Sequence, residues 1–455
     1  NVVGDEIDVE LTLSNRSELS IFGLDLQAFG PQQLHIDGDF RFRSVEGRTS
    51  ARRSVSVSAS CSGRWVLQGF DVSVTDPFGL IEARDYIPCN FAFEFYPRVG
   101  RLDRNKKNRR LERHPTEREG KRQLAALANG MVTRELRDYQ PGDPLRHIAW
   151  KATARTRKLI AREFEDEITA GTTILLDISG SMRGGAWQGQ KLEHAIELAA
   201  GIADDLIAQR SRVGLVTFDE KVYGYIPPGG SRSHYHRILH HLLGLNSVVD
   251  PVLTELDEEE LEELLVDYLL VQERLDFRKG NDDGHVNRDL LDRWVQSRLG
   301  AERQRFHSPV LQEGILDADM TAVREFVQLR GLPVPYRVES RLGPKGRGMA
   351  DAFERLVHDA PERQFVLVIS DLCGVSNFDV LDRGLALARH DGHRIRFLVP
   401  FTPSYYRGSP EESEKHEILM ELFTASEKEE RLRGVRFLQT KGIDVEFISQ
   451  TNRAA

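Results

Sequence analysis

The 455-residue sequence predicts an α/β protein: an open sheet flanked by helices, with an N-terminal β-sandwich ahead of it and a helical insertion inside it. Three observations carry that prediction. Apolar residues alternate with period two repeatedly within residues 1–97, strands alternate with helices from Thr172 onward, and the stretch 246–345 shows helical patterns alone. With 40% hydrophobic and 29% charged residues, the composition is that of an ordinary globular chain, long enough for two or three domains of ~100–200 residues.

In the first 97 residues, Ile7, Val9, Leu11 and Leu13 alternate with polar residues. The same pattern returns at Val55, Val57, Ala59 and Cys61, at Phe70, Val72 and Val74, and at Ile87, Cys89, Phe91, Phe93 and Phe95. Gly, Pro and Asn punctuate these runs, which reads as a small immunoglobulin-like β-sandwich. Residues 98–122 are dense in Lys and Arg with no periodic apolar face, so they read as a solvated linker; gripping phosphates or an acidic membrane surface is the alternative. The linker region extends to residue 170, and residues 171–455 form the α/β domain.

That domain opens with the strand TTILLDIS, the helix that begins at Lys191 and the strand RVGLVTF. KVYGYIPP follows after only Asp219 and Glu220 and should run antiparallel to its predecessor. Within the insertion, an acidic helix from Thr254 to Leu270 has Thr254 as its N-cap, and further helices surround Trp294 and Phe326. The acids Glu258, Glu259, Glu260, Glu262 and Glu263 form either a solvated face or an internal decoy for the site described next. FVLVISD, a helix around LDRGLALARHDG, RIRFLVP, a helical stretch from Glu411 and DVEFIS complete the alternation.

Lys and Arg number 62 against 71 Asp and Glu, and the formal net charge of −9 gives no general drive toward nucleic acid. No apolar run approaches the ~20 residues of a membrane span. Cys61, Cys89 and Cys373 are too scattered for a disulfide framework or a thiolate metal site, and they suit a reducing compartment. Cys61 and Cys89 continue apolar faces and are expected to be buried free thiols.

The residues most suggestive of chemistry are Asp177, Ser179 and Ser181, spaced D-x-S-x-S directly after a buried strand. In an open α/β sheet, ligands bind at the carboxyl ends of the strands. One carboxylate and two hydroxyls supply hard oxygen ligands suited to Mg²⁺, whereas a helix-capping Ser-rich turn is the plain alternative. Asp371 ends the strand FVLVIS and should reach the same edge.

With the strand and helix order, these residues resemble the von Willebrand factor A fold and its metal-ion-dependent adhesion site. There, D-x-S-x-S, a later Thr and a later Asp hold a divalent cation, and a partner's carboxylate commonly completes the coordination. The segment RELRDYQPGDPLRHIAWKATARTRKLIAREFEDE from Arg134 to Glu167, together with DPFGL at Asp76–Leu80 and FYPR at Phe95–Arg98, resembles the bacterial domain-of-unknown-function 58 family. This resemblance implies work alongside a MoxR-type AAA+ ATPase or its client protein. It also implies a cytoplasmic A domain and a membrane anchor upstream of Asn1, which would make the chain the soluble part of an inner-membrane-anchored protein.

Two positions depart from the family pattern. Ala149 stands where Asp is usual, and the usual Thr falls near GPKGRGMADAF, where Arg347 is the best match. A guanidinium has no lone pair for a cation, so Mg²⁺ binding is expected to be weak at best, with Arg347 pairing with a carboxylate when the metal is absent. Tyr139, Arg146, Trp150, Lys151 and Arg155 are residue types favoured at docking surfaces; the alternative is that Trp150 and Tyr139 pack the segment onto its neighbour, which is the favoured reading for Trp150.

His236 and His240 have zinc-compatible helical spacing but no third ligand, and Gly343, Gly346 and Gly348 lack the P-loop pattern, leaving a flexible lead-in to a helix. No G-x-S-x-G or H-E-x-x-H occurs. The expected function is therefore a non-enzymatic adaptor that docks a partner at Asp177, Ser179, Ser181 and Asp371, with no specific nucleic-acid partner. The alternatives are a metal-assisted phosphohydrolase using the same carboxylates and a phosphate or membrane-surface binder using the basic linker.

Overall fold

The computed structural model describes residues 1–98 apart from 32, then 133–138, 153, 158–164, 171–183, 191–246, 254, 256–278, 285–305, 321–330, 332, 334–335, 345–359, 362–375, 378–400 and 428–448. The N-terminal strands are β1 (Ile7–Ser14), β2 (Ile21–Phe29), β3 (Leu34–Asp37), β4 (Arg41–Val45), β5 (Ser50–Ala59), β6 (Gly63–Thr75) and β7 (Glu82–Phe95). They form two sheets, ordered β1-β5-β3 and β4-β2-β6-β7. Val55, Val57 and Ala59 of the first meet Leu24, Phe42, Trp65 and Phe70 of the second in a shared core.

The alternation in β7 fails in part. Ile87, Cys89 and Phe91 are exposed, and only Phe93 and Phe95 of the expected face reach the core. The β6–β7 register shifts between Leu67 and Gly69, and an irregularity of this kind breaks the period-two rule on which the expectation rested. Cys61 and Cys373 are buried, as expected of Cys61, whereas Cys89 is exposed.

β8 (Thr133–Asp138) and β9 (Ile160–Phe164) pair antiparallel. The α/β body then runs β10 (Gly171–Asp177), α1 (Lys191–Ala208), β11 (Val213–Phe218), β12 (Val222–Gly229) and α2 (Arg232–Gly244). After the insertion come α6 (Lys345–Asp359), β13 (Gln364–Ile369), α7 (Phe378–His390), β14 (Arg394–Pro400), α8 (428–440) and β15 (Asp444–Ile448). The sheet order is β12-β11-β10-β13-β14-β15, parallel throughout except for β12 against β11, as the short connection between them predicts.

Every residue of β10, β11 and β13 is buried, and apolar side chains dominate both faces, with Thr172, Thr173, Thr217 and Gln364 as buried polar exceptions besides Asp177. Ile174 and Leu176 pack with Leu192, Ala195 and Ile238 of α1 and α2. On the opposite face, Leu175 and Val216 pack with Met349, Phe353, Leu385 and Leu438 of α6, α7 and α8. The chain leaves β10 toward β11 on one side and reaches β13 on the other, which puts a topological switch point at their carboxyl ends.

The insertion supplies α3 (Glu258–Gln272), α4 (Arg288–Arg305) and α5 (Ala322–Arg330). Its own core includes Leu261, Leu265, Leu291, Val295 and Phe326, and it packs on Val66, Phe29 and Ala92 of the sandwich. The α3 N-cap is Asp257, in a reciprocal capping box with Glu260, not Thr254. Thr254 is buried and accepts a hydrogen bond from Arg324 Nη1 instead. Among the described residues, no helix is long and apolar enough to cross a membrane.

Candidate functional site

The register of the two central parallel strands sets Leu176 beside Ile369, so the residues that follow, Asp177 and Ser370, emerge together at the sheet edge. Ser370 Oγ donates to Asp177 Oδ2 at 2.6 Å, and the Ser179 amide donates to Asp177 Oδ1 at 3.0 Å. A short 3₁₀ turn over Gly180–Arg183 then brings Ser181 round, and its hydroxyl donates to Asp371 Oδ1 at 3.0 Å. Ser179 and Ser181 hydroxyls lie 3.2 Å apart. Thus Asp177, Ser179, Ser181 and Asp371 share one crevice, where Asp177, Ser179 and Asp371 are fully buried.

The backbone after Asp371 is strained. Leu372 has φ 60, a left-handed conformation that is costly for a side chain other than glycine and is often found at functional sites. It folds the chain back so that the Cys373 amide donates to Asp371 Oδ1 at 3.1 Å.

Two buried lysines complete the crevice. Lys345 Nζ lies 2.7 Å from Asp177 Oδ2 and 2.7 Å from Asp371 Oδ1, and it donates to Ser181 Oγ at 2.9 Å. Lys191 Nζ lies 2.6 Å from Asp371 Oδ2. Among the described residues two carboxylates thus face two ammoniums, and their charges balance. Burial by itself would raise the Asp371 pKa, but Lys191 and Lys345 outweigh it and hold this carboxyl well below the usual range.

Each lysine is the first residue of its helix, Lys191 of α1 and Lys345 of α6. A helix N-terminus carries positive partial charge and disfavours a cation, so these positions depend on the facing carboxylates. Sequence reasoning passed over both residues; the available signal was a lysine beginning a helix directly after the sheet's carboxyl edge.

As arranged, the donor set does not fit Mg²⁺. Magnesium needs a near-octahedral shell of oxygens at roughly 2.0–2.1 Å, and the oxygens of Asp177, Asp371 and Ser181 already converge on an ammonium. A dication within ~4 Å of one ammonium is opposed by about 8 kcal/mol at an effective dielectric near 20. Among the described residues, no group of three or more His, Cys, Asp or Glu is placed to hold a metal.

Arg347, expected to meet these carboxylates, is exposed on α6; Lys345 takes that part. Residues two apart on a helix point to opposite sides, so both cannot enter one crevice. Gly346 and Gly348 are buried within α6, not a flexible lead-in, while Gly343 lies outside the described residues. A Cβ at Gly348 would collide with the Asp219 carbonyl, so glycine here lets α6 approach the sheet edge.

Tyr139, Arg146, Trp150, Lys151 and Arg155 lie outside the described residues, as do residues 99–122 of the basic stretch. Glu258 and Glu262 of the acidic helix pair inside the insertion, with Arg324 and Arg288. His236 is exposed. His241, overlooked in the sequence, is buried with Nε2 at 2.9 Å from Thr217 Oγ1, and burial lowers its pKa to about 4.

Residues 135–267 match the family described as "Protein of unknown function DUF58". "Uncharacterized protein YeaD" of Bacillus subtilis (strain 168) is 22% identical over 261 residues, covering 56% of this chain and 63% of that protein. "Uncharacterized protein Rv1480" of Mycobacterium tuberculosis (strain ATCC 25618 / H37Rv) is 30% identical over 105 residues, covering 23% of this chain and 33% of that protein. The chain therefore spans less than two thirds of the length of either relative. Among solved structures, that of conserved hypothetical protein BatB from Bacteroides thetaiotaomicron aligns with 51% of this chain and 67% of that chain, at 14% identity and a TM-score of 0.24, too low to carry an argument.

Proposed function

For a chain that carries the DUF58 family segment over residues 135–267, we propose the role of a non-enzymatic adaptor that docks a partner protein at the carboxyl edge of its α/β sheet. The carrying observation is the saturation of that edge. Asp177 and Asp371 are both consumed in buried ion pairs, and Asp371 is held so acidic that it makes a poor general base. Such a crevice fixes loop geometry and does not transfer protons.

The proposed fold reading is von Willebrand factor A-like, supported by the six-strand order with one antiparallel edge strand. The proposed partner is the MoxR-type ATPase or its client that the family resemblance implies, with nucleotide hydrolysis supplied by the partner. Arg347, exposed on α6 two residues beyond Lys345, offers a cation to an acidic partner group on the helix face turned away from the crevice.

Affinity purification of the chain with the candidate ATPase, with and without nucleotide, tests this reading alongside an assay for turnover of ATP and of a phosphate ester. Capture that Arg347→Glu weakens, without turnover by the chain alone, is expected. Turnover that disappears in Asp177→Ala would contradict it.

A further inference from the structure

We propose that Lys345 is the resident cation of this crevice: its ammonium stands where an adhesion-type site would hold a divalent ion, and removing it opens the position to such an ion. The inference deepens the docking reading by naming what neutralises the crevice, and its test requires no partner.

Lys345 reaches Asp177, Asp371 and Ser181, one carboxylate from each central strand end and one hydroxyl from the 3₁₀ turn. An ammonium has three N–H bonds and no lone pair, so these oxygens face it as acceptors. Ser181 Oγ accepts from Lys345 while donating to Asp371, so its lone pair faces the cation as a metal-ligating hydroxyl would.

Lys191 differs: it pairs with Asp371 Oδ2, the other oxygen of the carboxylate whose Oδ1 Lys345 binds. The two lysines therefore carry equal charge but unequal positions. One bridges both aspartates, and the other neutralises the excess charge on one of them. Lys345 is also held in place, because α6 is seated against the Asp219 carbonyl at Gly348 and buries Met349 and Phe353 in the core.

This difference supplies the test. Lys345→Ala and Lys191→Ala each leave the cluster with one net negative charge, but only the first vacates the bridging position. Mn²⁺ is titrated by calorimetry into the full chain and both variants, with circular dichroism confirming the fold. The parent and Lys191→Ala should show no saturable binding, whereas Lys345→Ala should bind Mn²⁺ saturably, in competition with Mg²⁺.

A parent that binds Mn²⁺ as tightly as Lys345→Ala would overturn the proposal, as would a folded Lys345→Ala without any gain. Should Lys345→Ala not fold, amine acylation of the parent read by mass spectrometry decides. Lys345 should stay protected with and without millimolar MgCl₂; deprotection on adding the metal would show that the ion displaces it. Failure of the parent to capture a partner, alongside the expected metal result, would defeat the docking reading alone.

Discussion

Asp371 receives Lys345, Ser181 and the Cys373 amide on one oxygen and Lys191 on the other. Its depressed pKa fixes the sign of a pH effect. A carboxyl more acidic in the folded than in the unfolded chain contributes stability that is present above its ordinary value of about 4 and is lost as pH falls toward the folded value. Urea midpoints of the parent should therefore drop as pH falls below about 4. Asp371→Asn should flatten that decline, after a loss of about 3–5 kcal/mol at neutral pH from leaving buried ammoniums short of a partner. Identical acid limbs in both proteins would contradict the assignment. The oxygen half of this crevice was legible in the sequence, because Asp177 and Asp371 each end an apolar strand and strand ends converge at a switch point. The nitrogen half was not, since Lys191 and Lys345 begin helices on opposite faces of the sheet and only the assembled edge brings them together.

The first turn of α6 places Lys345, and Gly348 permits that turn to touch the sheet edge. Gly348→Ala should push α6 away from Asp219 and cost about 1–3 kcal/mol, as overpacking does. The control is Gly201 of α1, where a Cβ would meet nothing within 4 Å. Gly201→Ala should stabilise by about 0.5–1 kcal/mol through helix propensity alone. Thermal melts of the two variants moving in the same direction would refute the close-approach role of Gly348. Elements were readable from period and punctuation wherever the chain is regular, as in β10, β11 and β13. Reading failed where local chemistry intervened: the register shift that exposes Cys89, and the Asp257–Glu260 capping box that displaces Thr254 as the helix start.

Across the whole molecule, α1 links two tasks. Its Lys191 enters the crevice, and its Glu193 accepts from the Ser62 amide at 2.8 Å and the Ser62 hydroxyl at 2.9 Å, joining the sandwich to the α/β body. Asn246 Nδ2 reinforces the joint, donating to the Ser62 carbonyl at 2.6 Å and to Glu193 at 3.0 Å. Burial raises the Glu193 pKa. A raised acid makes its full contribution to stability below the unfolded value and loses it as pH rises through the folded value. Stability should therefore decline on that side in the parent and stay flatter in Glu193→Gln, as followed by thermal unfolding; matching profiles would remove Glu193 from the account. The central claim, that the chain's own lysine fills the cation position, is tested most directly by the anomalous signal of crystals of the parent grown with MnCl₂. The account predicts no manganese peak between Asp177 and Asp371 and the Lys345 ammonium bridging both; a manganese ion there, with Lys345 turned out, would contradict it.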